Sequence, residues 1–229
     1  MLLFPGPPPV TISLRRSARA RRFSLRVSQH SGEVTLSIPT RAPEAEALAF
    51  ARAQEGWIRA ALARRPVGCV VAIGSESPFE GQLLRIEAAA GRSVRIEADR
   101  LLVPGDPARA SVRVATFLKL RARDRLAAAS DHYAGQIARR VDRMTLRDTR
   151  SRWGSCAADG ALMYSWRLIM APPSVLNYVA AHEVAHMVEM NHSPRFWAVV
   201  ERLSPGWQAE RAWLKRHGGS LQSLRFDAD

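Results

Sequence analysis

Residues 182–192 read His182-Glu183-Val184-Ala185-His186-Met187-Val188-Glu189-Met190-Asn191-His192. On a helix, His182 and His186 project from one face, a turn apart. Two imidazoles placed that way can hold one zinc ion, and Glu183 stands beside the first, where a general base for the water activated there is needed. His192 offers a third nitrogen. Three protein ligands leave one tetrahedral position for water, which is the arrangement of a catalytic site and not of a structural one. The chain holds six histidines and twelve glutamates in 229 residues, so random placement gives roughly 0.008 copies of the His-Glu-x-x-His pattern. The plainer alternative is two core histidines on an amphipathic helix.

Ten residues separate His182 from His192, the interval used by metzincins, but those enzymes carry glycine three residues after the second histidine and this chain carries Glu189. Another device must therefore end the helix. Asn191 is suited to the left-handed conformation, and Ser193-Pro194 reads as an N-cap followed by proline at the first position of the next helix. Such a corner swings His192 back toward the metal, with Phe196 and Trp197 packing it against the core. Glu183 is too close in sequence to ligate the ion its neighbour holds, so it is assigned the base, taking a proton from water and passing it to the leaving group. Glu189 is either an outer partner of a ligand imidazole or a surface carboxylate. Glu201 is a rival third ligand, but His192 lies nearer. His30, His132 and His217 stand alone and are left out of the site. Tyr178, one turn before His182, either lines the pocket or belongs to the core.

Upstream, Pro172-Pro173-Ser174 starts the metal helix, with Ser174 as N-cap. Asp159-Gly160 forms a turn feeding a strand over 161–169, and 144–149 has strand character. A helix runs over about 108–141, on the spacing of Val112, Ala115, Leu118, Arg121, Arg125 and Ala129. Pro104-Gly105-Asp106-Pro107 is the clearest punctuation and marks the expected domain boundary. Before it, short apolar runs at 10–14, 23–27, 34–38, 69–73, 82–87, 93–97 and 101–103 read as strands, with a hairpin turn at Ser31-Gly32. One helix carries Leu48, Ala51, Glu55, Ile58 and Leu62 and ends near Arg65-Pro66. The fold class is α+β: a β-rich N-terminal region with one helix over 1–105, then a catalytic domain over 106–229.

The formal charge is +13, and Lys119 and Lys215 are the only lysines among 34 basic residues. That balance reads either as a solvated basic surface or as attraction to an anion, with nucleic acid and nucleotides as candidate partners. Cys69 and Cys156 show no Cys-x-x-Cys spacing and no disulfide framework, which fits a reducing cytosol. The first ten residues, broken by Pro5, Pro7, Pro8 and Pro9, do not read as a secretory signal. No apolar run reaches the eighteen or so residues that span a bilayer, so a cytoplasmic protein without membrane contact is expected.

Ser151-Arg152-Trp153-Gly154-Ser155-Cys156, Trp166-Arg167-Leu168, Ala171-Pro172 and the metal helix through Asn191-His192-Ser193 and Phe196-Trp197 resemble the YgjP-like metallopeptidase family, zinc-dependent hydrolases of zincin-like fold that look related to SprT-like and WLM proteases. The resemblance is carried by residues 147–197. It implies that His182, His186 and His192 bind Zn2+, that Glu183 is catalytic, and that the Arg152-Trp153-Gly154-Ser155 loop lies near the site. Arg152, Trp153, Gly154, Ser155 and Arg167 are the expected substrate-binding residues. A strand there could hold an extended peptide by strand addition, while core packing is the competing reading of Trp153 and Trp166. Cys156 reads as a small buried residue. The expected activity is a zinc metallopeptidase acting on a peptide or protein. A nucleotide phosphohydrolase using Arg147, Arg150, Arg152 and Arg167 remains open. So does a nucleic-acid-associated protein whose zinc is structural, although Glu183 has no use in a structural site.

Overall fold

The computed structural model describes residues 2–4, 8–28, 32–63 and 69–226. The chain forms two compact units, Met1–Val67 and Gly68–Asp229.

In the first unit β1 (Leu2–Phe4), β2 (Val10–Ser17), β3 (Ser24–Val27) and β4 (Val34–Pro39) form a sheet of order β1-β2-β4-β3, with β2 parallel to β4. Val34, Leu36 and Ile38 alternate inward at strand period and meet Ala47, Ala51 and Ile58 from the covering helices. The single helix expected over this region is two, α1 (Glu44–Ala53) and α2 (Glu55–Ala63), separated at Gln54. The Gln54 N–H bonds to the Ala51 carbonyl, a tightened last turn, and Gly56, a weak helix former, follows. The expected turn at Ser31-Gly32, the helix end near Arg65-Pro66 and His30 lie wholly or partly outside the described residues.

The second unit opens with β5 (Glu76–Phe79), β6 (Gln82–Ala89), β7 (Arg95–Glu97) and β8 (Arg100–Pro104), in a sheet of order β5-β6-β8-β7. The run at 69–73, expected as a strand, makes only an isolated bridge between Val70 and Arg225. The Pro104-Gly105-Asp106-Pro107 punctuation is a strand-to-helix turn inside this unit. Asp106 accepts from the Ala108 N–H at 2.9 Å and starts a short 3-10 turn into α3 (Ala110–Gln136). Val71, Leu84, Ile86, Leu101 and Val103 share one hydrophobic core with Val114, Leu118, Leu126 and α4, so a cut at 105/106 would pass through that core. The α3 face that packs inward carries Val114, Leu118, Ala122, Leu126, Ser130 and Ala134, four residues apart. Val112, expected on it, is exposed.

A three-stranded sheet of order β10-β11-β9 follows, built from β9 (Met144–Arg147), β10 (Gly154–Cys156) and β11 (Leu162–Ser165). β11 runs antiparallel to β10 and parallel to β9. The strand expected over 161–169 stops at Ser165, and Trp166–Met170 coil into a 3-10 turn. Then come α4 (Pro173–Ala185), α5 (Pro194–Leu203) and α6 (Trp207–Ser223). The β5–β6 turn docks where α4 begins: the N–H groups of Glu80 and Gly81 donate to the carbonyls of Ile169 and Met170 at 2.7 and 3.2 Å. Gly81, at φ 81°, is needed there, since a Cβ would meet the Pro172 Cα at 3.0 Å. α4 starts with Pro173 at its first position and Pro172 at the cap, so Ser174 lies inside the helix and does not cap it. Among the described residues no helix is long and apolar enough to cross a membrane.

Candidate metal centre

α4 supplies His182 and Glu183 from its last turn, and His186 is its C-terminal capping residue, still in helical conformation. The chain then leaves the helix. Asn191 does not take the left-handed conformation, because positive φ among the described non-glycine residues occurs at Glu80, Ala98 and Ala138. The reversal is made by a tight turn in which the Ser193 N–H donates to the Asn191 carbonyl at 2.7 Å, centred on His192. Ser193 caps α5, accepting from the Phe196 N–H at 3.3 Å, with Pro194 next.

One ring nitrogen each from His182, His186 and His192 lies within 4.8 Å of the other two. Nε2 of His182 and Nε2 of His192 are 3.1 Å apart. Ligand nitrogens around a tetrahedral divalent ion sit about 3.3 Å from each other, so the donor set fits such an ion. Nδ1 of His186 donates to the Glu189 carbonyl at 3.1 Å, which leaves its Nε2 as the free donor to a metal. The outer partner is thus the backbone of Glu189 and not its carboxylate. Burial, helped by the neighbouring imidazoles and Arg211, pushes His182 down to about 3, and burial also holds His186 below the usual histidine range. Both stay neutral with lone pairs available for a cation. Glu201 is exposed and stands outside the cluster.

The three rings rest on one apolar support. Phe196 is fully buried, and its ring centroid lies 4.9, 4.4 and 4.8 Å from those of His182, His186 and His192. Trp197 stacks on His192 at 5.7 Å and on Trp207 at 4.2 Å. The expected packing role of Phe196 and Trp197 is this floor.

Glu183 is buried, and burial pushes its carboxyl up to about 8 against the opposing pull of Arg152. Its side chain lies across Gly154: a Cβ there would come within 2.6 Å of both Cγ and Oε1 of Glu183. The loop glycine thus serves a close approach.

A cleft of about 370 Å³ is lined by His182, Glu183, Arg152, Trp153 and Gly154, joined by Tyr178 and by Arg211 and Lys215 from α6. Three of the five expected substrate residues therefore meet the metal cluster. Ser155 pairs with Met163 across β10 and β11 and does not line the cleft. Arg167 is not there either. It is buried, bound to Asp148 at 2.6 and 3.1 Å and to the carbonyls of Leu221 and Leu224 at 2.8 and 2.9 Å, with its guanidinium over the rings of Trp166 and Phe226. It fastens the C-terminal segment to the body of the unit. Cys156 is half-buried, its thiol pushed up to about 11 by burial and the charges of Glu183 and Asp159, and it stands outside the imidazole cluster. The α6 residues Arg211 and Lys215 belong to no motif; only their i, i+4 spacing on a helix could have hinted at them.

The YgjP-like metallopeptidase domain matches residues 21–217 of the 229-residue chain. The chain belongs to the YgjP-like metallopeptidase family. No curated protein and no solved structure matches it. The family match covers the whole metal cluster, the Arg152–Gly154 loop and all but the end of α6. A metallopeptidase domain implies a divalent metal, and the imidazole cluster of this YgjP-like chain is suited to one.

Proposed function

We propose that this YgjP-like protein is a zinc-dependent peptidase in which His182, His186 and His192 hold the ion and Glu183 is the general base. The observation that carries the reading is the convergence of three imidazoles beside the cleft that His182 lines and in which Glu183 overhangs Gly154. Zinc, when bound, supplies a Lewis acid that acidifies water and polarises a carbonyl. The protein's own groups do the rest. Glu183 Oε1 or Oε2 takes a proton from the attacking water and returns it to the departing amine. Burial raises its pKa, which makes the carboxylate a stronger proton acceptor than an exposed one. Gly154 fixes where that carboxyl sits. β10 is an edge strand, paired only to β11 among the described strands, so an extended peptide added to it would run past Gly154 and present a carbonyl beside Glu183. Of the arginines on which a phosphohydrolase reading drew, Arg167 is spent on Asp148 and the C-terminal carbonyls, and Arg152 lines the cleft.

The test is Glu183→Gln in the zinc-loaded protein, assayed on casein and peptides. The expected result is unchanged zinc content with turnover lower by about 10²–10⁴; undiminished turnover removes Glu183 as base.

A further inference from the structure

The cleft beside the metal cluster has a charge pattern that catalysis does not require. Arg152, Arg211 and Lys215 line it, all exposed, and Glu183 is the only carboxylate that does. Among the described residues no carboxylate lies within ion-pair distance of any of the three cations, whereas Arg125 pairs with Glu80 at 2.7 Å and Arg95 with Glu97 at 2.7 Å. Glu210 acts on Tyr178 but pairs with none of them. Arg211 and Lys215 are four apart on α6 and so share a face one turn from each other, a like-charge placement that mildly destabilises a helix unless something anionic lies against it.

Arg211 and the loop that carries Arg152 are also held in place. The guanidinium of Arg211 lies over Trp197 and Trp207, 5.2 and 5.8 Å from the ring centroids. The loop carrying Arg152 is fastened to the same helix by its neighbour: Trp153 sits on Gly218, where a Cβ would come 2.8 Å from the Trp153 Cζ2. Guanidinium and ammonium groups fixed around a pocket recognise carboxylates through charge-assisted hydrogen bonds.

A second cleft, of about 520 Å³, adjoins the cluster through His186, and its balance is different. Arg139 and Arg140 there are matched by Asp142 and Asp159, and Met187, Val188 and Met190 add apolar surface, of which Val188 and Met190 are half-exposed. Of the two clefts that adjoin the cluster, the one lined by His182 and Glu183 carries the cationic excess.

Resting on the peptidase reading above, we infer that the Arg152–Arg211–Lys215 cleft is a specificity subsite for an acidic side chain, so that the preferred substrate is a peptide with Asp or Glu close to the scissile bond on one side and an apolar residue on the other.

Two measurements on the full-length protein test this. The zinc-loaded enzyme is assayed on matched fluorogenic peptides differing only by Glu or Gln at successive positions around the cleaved bond. The Glu183→Gln variant is titrated with the same peptides, binding being read by fluorescence anisotropy at low and high ionic strength. Glutamate on one side of the bond is expected to raise both kcat/KM and affinity about tenfold, with the advantage shrinking as salt rises. Lys215→Glu, an exposed substitution that leaves Arg152 and Arg211 in place, is expected to remove most of the preference for Glu over Gln, and Arg211→Gln to narrow the Glu-to-Gln ratio. Equal cleavage and equal binding of Glu and Gln peptides overturn the subsite while leaving the peptidase reading intact. Preferred binding of acidic peptides without cleavage of any keeps the subsite and overturns the peptidase reading. Hydrolysis of nucleoside triphosphates with neither binding nor cleavage of peptides overturns both.

Discussion

At Gly154 a single absent methyl group decides where a carboxylate can lie. Glu183 occupies the space a Cβ would need, 2.6 Å from its Cγ and Oε1. Gly154→Ala is therefore expected to displace the Glu183 carboxyl and lower kcat by about 10–10²-fold, because small misplacements of a reacting group are costly. Zinc content should be unchanged, since the three atoms nearest that Cβ all belong to Glu183; metal analysis beside steady-state kinetics checks both halves. The same scale governs Tyr164, which is fully buried and shares a hydrogen bond with Ser130 Oγ at 3.0 Å. Burial raises its phenol above the ordinary value of 10.0. A group raised in the folded state gives stability that is complete below its unfolded pKa and is lost as pH climbs through the alkaline range, because the unfolded chain releases the proton first. Urea midpoints should thus fall above about pH 10. In Tyr164→Phe that decline should be shallower, though present, as Tyr178 and Cys156 are shifted the same way, to about 12 and about 11. The variant should also lose about 1–3 kcal/mol at neutral pH by orphaning the buried Ser130 hydroxyl; a midpoint that follows wild type at every pH contradicts the assignment.

Among the elements, the α4–α5 corner is where sequence reading was nearly sufficient. The ligand spacing on α4 and the Ser193-Pro194 start of α5 were both legible, since capping is local chemistry between neighbours. The means of reversal was not: the chain turns through a Ser193-to-Asn191 backbone bond and needs no left-handed residue. Ser193→Ala removes the side-chain acceptor for the Phe196 N–H and should cost about 1 kcal/mol. Because the cap adjoins His192 and seats Phe196 under all three rings, zinc affinity should weaken as well. Thermal melts and chelator competition read the two effects, and a lower melting temperature with unaltered metal affinity would separate the cap from the site. α6 was the opposite case. Its helical pattern revealed nothing of Arg211, Lys215 or Gly218 as cleft residues, because that role depends on which helix packs beside β10 and α4.

For the whole molecule, the expected division at 105/106 was placed on local punctuation, Pro104-Gly105-Asp106-Pro107. A turn-forming sequence marks a change of element, but only shared burial marks a domain. Val71, Leu84, Ile86, Leu101 and Val103 lie in the same core as α3 and α4, while the first unit keeps its own core around Leu36, Ile38 and Ile58. A chain beginning at Gly68 is accordingly expected to fold and bind one equivalent of zinc, and one beginning at Asp106 to remain unfolded for want of those apolar partners. Circular dichroism and metal titration of the two fragments decide it, and a folded, metal-binding Asp106 fragment would restore the earlier boundary.

The sequence alone determined the residue types of the candidate centre. The proposed ligands His182, His186 and His192 and the proposed base Glu183 are set by spacing on one helix and one corner. α3 and most strands followed from apolar period, α4 and α5 from ligand spacing and capping, and α6 from neither. The tertiary structure alone decided that Arg167 is a buried anchor and not a substrate contact, that Gly154 yields its space to Glu183, and that α6 brings two cations to the cleft. The physical reason is range. Period, capping and ligand spacing act between residues a turn or two apart and are written in order along the chain, whereas burial, close approach and charge placement depend on residues brought together from distant positions, which only packing specifies.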